Sequence, residues 1–140
     1  MNYSTLAIDV QVVYITKEMI SKEMLSDIRK EGVTMADPAG AVWFGAYCQE
    51  ELIGVACGVM NNKTGTVRFK SDYVAPEYRR QGVYKKLFKA RMEWAKLNGG
   101  KIATAFCYDA SLGMYANQGF ISMRQDKKTG VTFVKRGIQW

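Results

Sequence analysis

The stretch TVRFKSDYV (66–74), APEYRRQG (75–82) and VYKKLFKARMEWAKL (83–97) decides the fold. Its first part alternates Val67, Phe69, Ser71 and Tyr73 against Arg68, Lys70, Asp72 and Val74, the period of a strand, broken only at its end where Val74 is apolar. Pro76 stops that strand. From Gly82 onward Val83, Leu87, Ala90, Trp94 and Leu97 recur at spacings of four and three, one face of a helix, with Lys85, Lys89, Glu93 and Lys96 opposite. A strand running through a tight basic corner into a helix creates an anion site, because the first turn of a helix presents unpaired amides and a positive dipole end. Gly82 allows close backbone approach. Arg79 and Arg80 add charge, and Lys85, Lys86 and Lys89 follow, a set suited to a pyrophosphate and a ribose phosphate. The corner lacks the Lys-Ser/Thr end of a Walker A loop and the GxGxxG of a dinucleotide fold. Taken alone it is as readily a solvated basic turn.

Upstream, Asp9 to Ile15 reads as a strand, and Thr16 as the cap of a helix carrying Ile20, Met24, Leu25 and Ile28, closed by Gly32. After the turn Asp37 to Gly40, Ala41–Cys48 and Leu52–Met60 form a hairpin through Gln49-Glu50-Glu51, and Asn61–Gly65 turns the chain into the strand at 66. Downstream, Asn98-Gly99-Gly100 closes the long helix, Ile102–Cys107 is a buried strand, and Ser111–Asn117 is a short helix ended by Gly119. Phe120–Gln125 and Val131–Lys135 flank a turn at Asp126–Gly130. The order of elements predicts one α/β domain over residues 1–140, of the α+β type, with a mixed, mostly antiparallel sheet of six to seven strands flanked by helices.

Composition agrees with a single globular domain. The 140 residues are 48% hydrophobic and 24% charged with two prolines, which argues against disorder. Met1 to Val10 has no basic leader and no segment approaches a membrane span, so a cytoplasmic protein with no membrane partner is expected. Cys48, Cys57 and Cys107 lack CxxC spacing and read as reduced core thiols. Histidine is absent, which removes the usual general base and most metal sites. Charge is uneven: Met1–Met60 has four Lys/Arg against eight Asp/Glu, whereas Asn61–Lys101 has eleven against three. An anionic partner belongs at the basic middle.

Val74-Ala75-Pro76-Glu77-Tyr78-Arg79-Arg80-Gln81-Gly82-Val83 closely resembles the R/Q-x-x-G-x-G/A signature that follows a V-x-P strand end in the GNAT superfamily of N-acetyltransferases. Tyr115-Ala116-Asn117-Gln118-Gly119-Phe120 resembles that superfamily's Y-x-x-x-G-F element at about the expected separation. Two departures stand out. Tyr84 occupies the usual Gly/Ala position, so its ring must turn away from the pyrophosphate if its amide is to serve. Tyr108 and Asp109 lie where many members carry an Asn.

The resemblance implies that the strand Thr66 to Val74 carries a bulge and splays from the next strand at the middle of the sheet, with acetyl-coenzyme A entering the gap; no metal is expected. It implies cofactor contacts from Asp72, Tyr73 and Val74 at the strand end, from Arg79, Arg80, Gln81, Gly82, Val83, Tyr84 and Lys85 at the loop, and from Ser111. Backbone amides at the strand end would bind the thioester oxygen as it gains charge. Tyr115 is implied as the acid for the leaving thiolate, a phenol with an ordinary pKa of about 10 being protonated at neutral pH. Asp72, at the strand end beside the expected thioester, is the first candidate for the base, directly or through water, although a surface aspartate on the other face of the strand reads as well; Glu77, Asp109 or water alone are the alternatives. Trp43, Phe44, Tyr47 and Met35 are candidate walls of the acceptor site, although core packing accounts for most such residues.

Three functions compete: acetyl transfer to an amine of a small molecule or protein, favoured by the acidic first half; modification of a nucleic acid base or nucleic-acid-bound amine, using the basic stretch Lys63–Lys101 and Lys127-Lys128; and a non-catalytic acyl-coenzyme A binding module. Much of the basic charge is already explained by the phosphates of the cofactor, and Tyr115 argues against the third. The acceptor's identity and whether the protein works as a homodimer stay open.

Overall fold

A computed structural model describes residues 8–138; residues 1–7, most of the stretch read for a leader, and 139–140 lie outside the described residues. Seven strands and three α-helices follow in the order β1 (Val10–Ile15), α1 (Lys22–Lys30), β2 (Ala41–Cys48), β3 (Glu51–Asn61), β4 (Thr66–Val74), α2 (Val83–Leu97), β5 (Ile102–Cys107), α3 (Asp109–Asn117), β6 (Ile121–Gln125) and β7 (Thr132–Gly137). The strands make one sheet in the order β1-β2-β3-β4-β5-β7-β6. Every neighbouring pair is antiparallel except β4 and β5. Those two pair only over Thr66–Arg68 and Ile102–Thr104, and from Phe69 on β4 has no ladder bonds to β5. None of the described helices is long and apolar enough to cross a membrane.

One expected cap was misplaced. Thr16 heads a short 3-10 turn, Lys17–Met19, and the α-helix starts later, where Ser21 Oγ accepts the amide of Met24 at 3.1 Å. Two hydroxyl residues five positions apart offered equivalent caps, and the extended Ile20, whose buried side chain joins the core, ends the first turn.

The sheet has a core on each face. Phe44, Val67, Phe69, Leu87, Phe88, Trp94 and Phe120 meet under α2 and α3, while Ile28, Met35, Trp43, Val55, Cys57 and Tyr73 meet under α1. β4 contributes to both, and a bulge decides which of its later residues go to which. Val55 pairs with Tyr73 and Cys57 with Lys70, so Ser71 and Asp72 oppose the single residue Ala56. Ser71 takes a left-handed φ of 59°, and its Oγ donates to Thr34 O at 2.6 Å. An unbroken alternation would have sent Asp72 to the α1 face with Lys70. The bulge instead turns Asp72 and Val74 toward α2 and α3 and sends Tyr73 under α1.

Two glycines in β3 let α2 settle close to the sheet. A Cβ on Gly58 would lie 2.6 Å from Trp94 Cζ3 in a core packed on both sides. Gly58→Ala is therefore expected to cost about 1–3 kcal/mol, read as a lower denaturant midpoint at unchanged m.

Candidate functional site

Between β4 and α2 the chain reverses through a 3-10 turn at Pro76–Tyr78, then Arg80 at φ 64° and Gly82 at φ 84°. Gly82 is the N-cap of α2, and Lys86 N returns to Gly82 O at 3.2 Å. The amides of Val83, Tyr84 and Lys85 consequently lack intrahelical acceptors. Gly82 is exposed, and a Cβ added there meets nothing within 4 Å, so the space over this helix end is open. Arg80, Lys85 and Lys89 are exposed around it, while Lys86 reaches back to Val10 O at 3.3 Å. These features fit a pyrophosphate: open amides, a positive dipole end and exposed cations.

Not every loop residue points there. The Arg79 guanidinium donates to both carboxylate oxygens of Glu31 at 2.8 Å and to Val74 O at 2.7 Å, and lies over the Tyr73 ring. It ties the loop to the end of α1 rather than facing the open helix end. Gln81 turns back to Glu77 O, and Glu77 is exposed, as is Asp109 at the start of α3. Ser111 Oγ donates to Tyr108 O at 3.2 Å within the first turn of α3.

The unpaired part of β4 supplies the next element. Ala75 N donates to Ile53 O, so by strand alternation the Val74 amide points the opposite way, into the space between β4 and β5, and Tyr73 turns its own amide toward β3. At the same level Tyr115, 3% exposed, donates its hydroxyl to Asp72 Oδ2. Asp72 Oδ1 accepts from Arg91 Nη1 at 2.6 Å. Arg91 is fully buried, stacks on Phe69 at 4.0 Å, and also donates to Cys57 O and Lys70 O at 3.0 and 3.3 Å. Burial, then the charge of Asp72, hold the Tyr115 phenol well above its ordinary range. Burial by itself would lower Arg91, but the Asp72 charge and hydrogen bond together with Tyr115 and Tyr84 outweigh it and leave the guanidinium raised.

Tyr84 turns its ring inward, against Phe88 and Tyr115 with centroids at 6.2 and 6.5 Å, and away from the open helix end. Its hydroxyl is buried without a hydrogen-bond partner among the described residues, and burial followed by the Asp72 charge raises its pKa. The departure at this position thus leaves the amide free and thickens the wall beside Tyr115.

Arg91 is the member of the site that the sequence reading missed. The expected helix face ran through Ala90 and Leu97, yet Leu97 is 77% exposed and the buried stripe is Val83, Leu87, Phe88, Arg91, Met92, Trp94 and Ala95. Leu87, Arg91 and Ala95 at i, i+4 and i+8 were the available signal, an arginine in line with apolar positions. The acceptor-wall candidates divide: Phe44 lies on the α2 face against Trp94, which removes it from that group, whereas Trp43 and Met35 pack under α1 and Tyr47 is half-buried. Trp43 Nε1 donates to Asp37 at 2.8 Å. Cys57 and Cys107 are buried thiols, each pushed up to about 11 chiefly by burial, and Cys48 is half-buried. Among the described residues no group of three or more His, Cys, Asp or Glu could hold a metal ion.

Comparison with known proteins follows the same lines. The model of the acetyltransferase (GNAT) family matches residues 11–120. No curated protein gives a significant sequence match. Among solved structures, a proposed acyl-CoA N-acyltransferase from Klebsiella pneumoniae superposes with a TM-score of 0.77 at 16% identity, covering 93% of this chain and 98% of that one. A GNAT-family acetyltransferase from Staphylococcus aureus gives 0.74 at 16% identity, over 94% and 100% of the two chains. The ribosomal-protein-S18-alanine N-acetyltransferase of Escherichia coli gives 0.70 at 11%, over 94% and 96%. These identities speak for the fold, and the family match, which spans most of the strands and every helix, speaks for descent: the chain belongs to the acetyltransferase (GNAT) family.

Proposed function

We propose that this protein moves an acetyl group from acetyl-coenzyme A directly to an amine within a ternary complex, using no metal, in the cytoplasm. One observation carries the reading: the open N-terminus of α2, the free edge of β4 and the Tyr115 hydroxyl lie along one gap in the sheet. In this reading the amides of Val83, Tyr84 and Lys85, with Arg80, Lys85 and Lys89, hold the pyrophosphate. The Val74 amide faces the thioester oxygen and stabilises the charge that grows on it.

The nucleophile must arrive as a free amine, since an alkylammonium has no lone pair. As the C–N bond forms and the C–S bond breaks, Tyr115 hands its proton to sulfur. The proton lost by nitrogen goes to water or returns to the phenolate, which beside Asp72 is a strong base. Both Asp72 oxygens are already engaged, so its contribution as a base runs through Tyr115. A cationic acceptor is favoured by Asp27 of α1, which lies close enough to Tyr73 to help raise its phenol after burial and the Glu31 charge, the latter already paired with Arg79.

Thermal unfolding with acetyl-coenzyme A tests the binding half: a rise in Tm is expected, and its absence in the wild type would sink the proposal. Thiol release on adding members of an amine panel tests the transfer half. Release without any amine dependence would point to simple hydrolysis instead.

A further inference from the structure

Arg91 is an expensive residue to keep. It sits in the apolar stripe of α2, fully buried, and its Nε and Nη2 have no hydrogen-bond partner among the described residues. A buried ion pair is weak as a source of stability, and apolar replacements of similar volume are often neutral or better. Its one engaged nitrogen, Nη1, touches Cys57 O and Lys70 O, the cross-strand pair that borders the β4 bulge, as well as Asp72 Oδ1. It therefore grips the backbone feature that turns Asp72 inward, and the carboxylate itself. The other oxygen of that carboxylate accepts the hydrogen bond of the Tyr115 hydroxyl. Three side chains from three elements, α2, β4 and α3, form one chain of contacts that ends on the hydroxyl at the gap.

We propose that Arg91 is a positioning residue for the transfer reaction, keeping Asp72 anionic and so fixing where the Tyr115 hydroxyl points and how tightly its proton is held. The proposal rests on the reading of Tyr115 as the proton donor. The titratable or charged groups that face Asp72 are Arg91 and Tyr84 from α2, Tyr115 from α3, Cys57 from β3 and Cys107 from β5. Arg91 is the cation in that set. Without it, burial acts on an unpaired carboxylate and favours the protonated form. A protonated Asp72 accepts weakly, Tyr115 loses its fixed orientation, and turnover drops on the acidic side.

The test compares wild type, Arg91→Met, Arg91→Lys and Asp72→Asn. Isotope-edited carboxyl NMR follows Asp72 through a pH titration without substrate, and pH–rate profiles follow turnover. In Arg91→Met both the Asp72 titration and the acid limb of kcat should move up by about one pH unit or more, with Arg91→Lys lying between it and wild type. Asp72→Asn should lose that limb altogether. A purely structural Arg91 would lower the melting temperature and leave both curves in place, and that result overturns the proposal. If Arg91→Met does not fold, a double-mutant cycle between Arg91→Lys and Asp72→Asn decides: additive losses in kcat count against the linkage, and a coupled loss supports it. The NMR readout needs no turnover. A shifted Asp72 in a protein that acetylates no amine would therefore retire the reaction while leaving the Arg91–Asp72 linkage standing.

Discussion

Gly82→Glu is expected to abolish the thermal stabilisation given by acetyl-coenzyme A while leaving the fold in place. At a ligand concentration about a hundred times Kd, that stabilisation is roughly 2.7 kcal/mol, so its disappearance is easy to measure. Two effects on folding oppose each other. A non-glycine residue at φ 84° costs about 1–2 kcal/mol. A carboxylate at a helix N-terminus returns about 0.3–1 kcal/mol. The added side chain meets no protein atom within 4 Å of its Cβ, so no clash adds to this. What does change is the anion site, since a fixed negative charge now occupies the dipole end that would receive a pyrophosphate. Gly82→Asn is the control: asparagine tolerates the left-handed region, carries no charge and should keep most of the shift. Equal shifts in Gly82→Glu and wild type would mean that the ligand binds elsewhere.

Tyr115→Phe is expected to lower kcat by about a hundredfold or more while acetyl-coenzyme A binding is retained, the loss usual for a positioned acid. The ring is buried against Phe120 and keeps its packing, so the variant loses one hydroxyl and little else. Asp72 Oδ2 loses its donor, which costs about 1.5–3 kcal/mol of stability, a hydrogen bond to a charged group. Binding and turnover therefore have to be measured below the lowered melting temperature. The pH behaviour gives a second check. Because the folded phenol is raised above its ordinary 10.0, this group contributes stability that is intact below about pH 10 and lost as pH climbs further, and the acid role shows no alkaline limb from Tyr115 at lower pH. An unchanged kcat in the variant would remove Tyr115 from the acid role.

Most of the fold could be read from periodicity. β4 and β5 came out with their observed limits, and α2 began where Gly82 and the change of period put it. Such features are local, set by alternation, caps and turns. What escaped was non-local. The bulge itself was implied only by the family resemblance, since it leaves little trace in a sequence of mixed polarity and Ser71 at a left-handed φ carries no glycine to mark its position. The face of Asp72 could not be assigned without it, and nor could the pairing with Arg91, nineteen positions on, whose charge disguised a core position. Arg79 shows the opposite case: its motif position suggested phosphate, and Glu31, forty-eight positions away, competes for the same guanidinium. Local spacing names the residue types a site requires. It does not say which partners tertiary packing will supply.

The extra residue in β4 also constrains how this chain can be altered. Deleting Ser71 would restore a regular pleat and leave Asp72 and Val74 on the α2 side and Tyr73 under α1, their present faces. Forcing all nine residues of β4 into one unbroken alternation would instead put Tyr73 beside Phe69 under α2 and turn Asp72 toward the α1 side with its charge unmatched. A strand regularised at full length would keep its ladder and lose its chemistry. Recombination with a relative should therefore carry residues 66–74 as one block together with position 91, because a crossover inside the block mixes two incompatible frames.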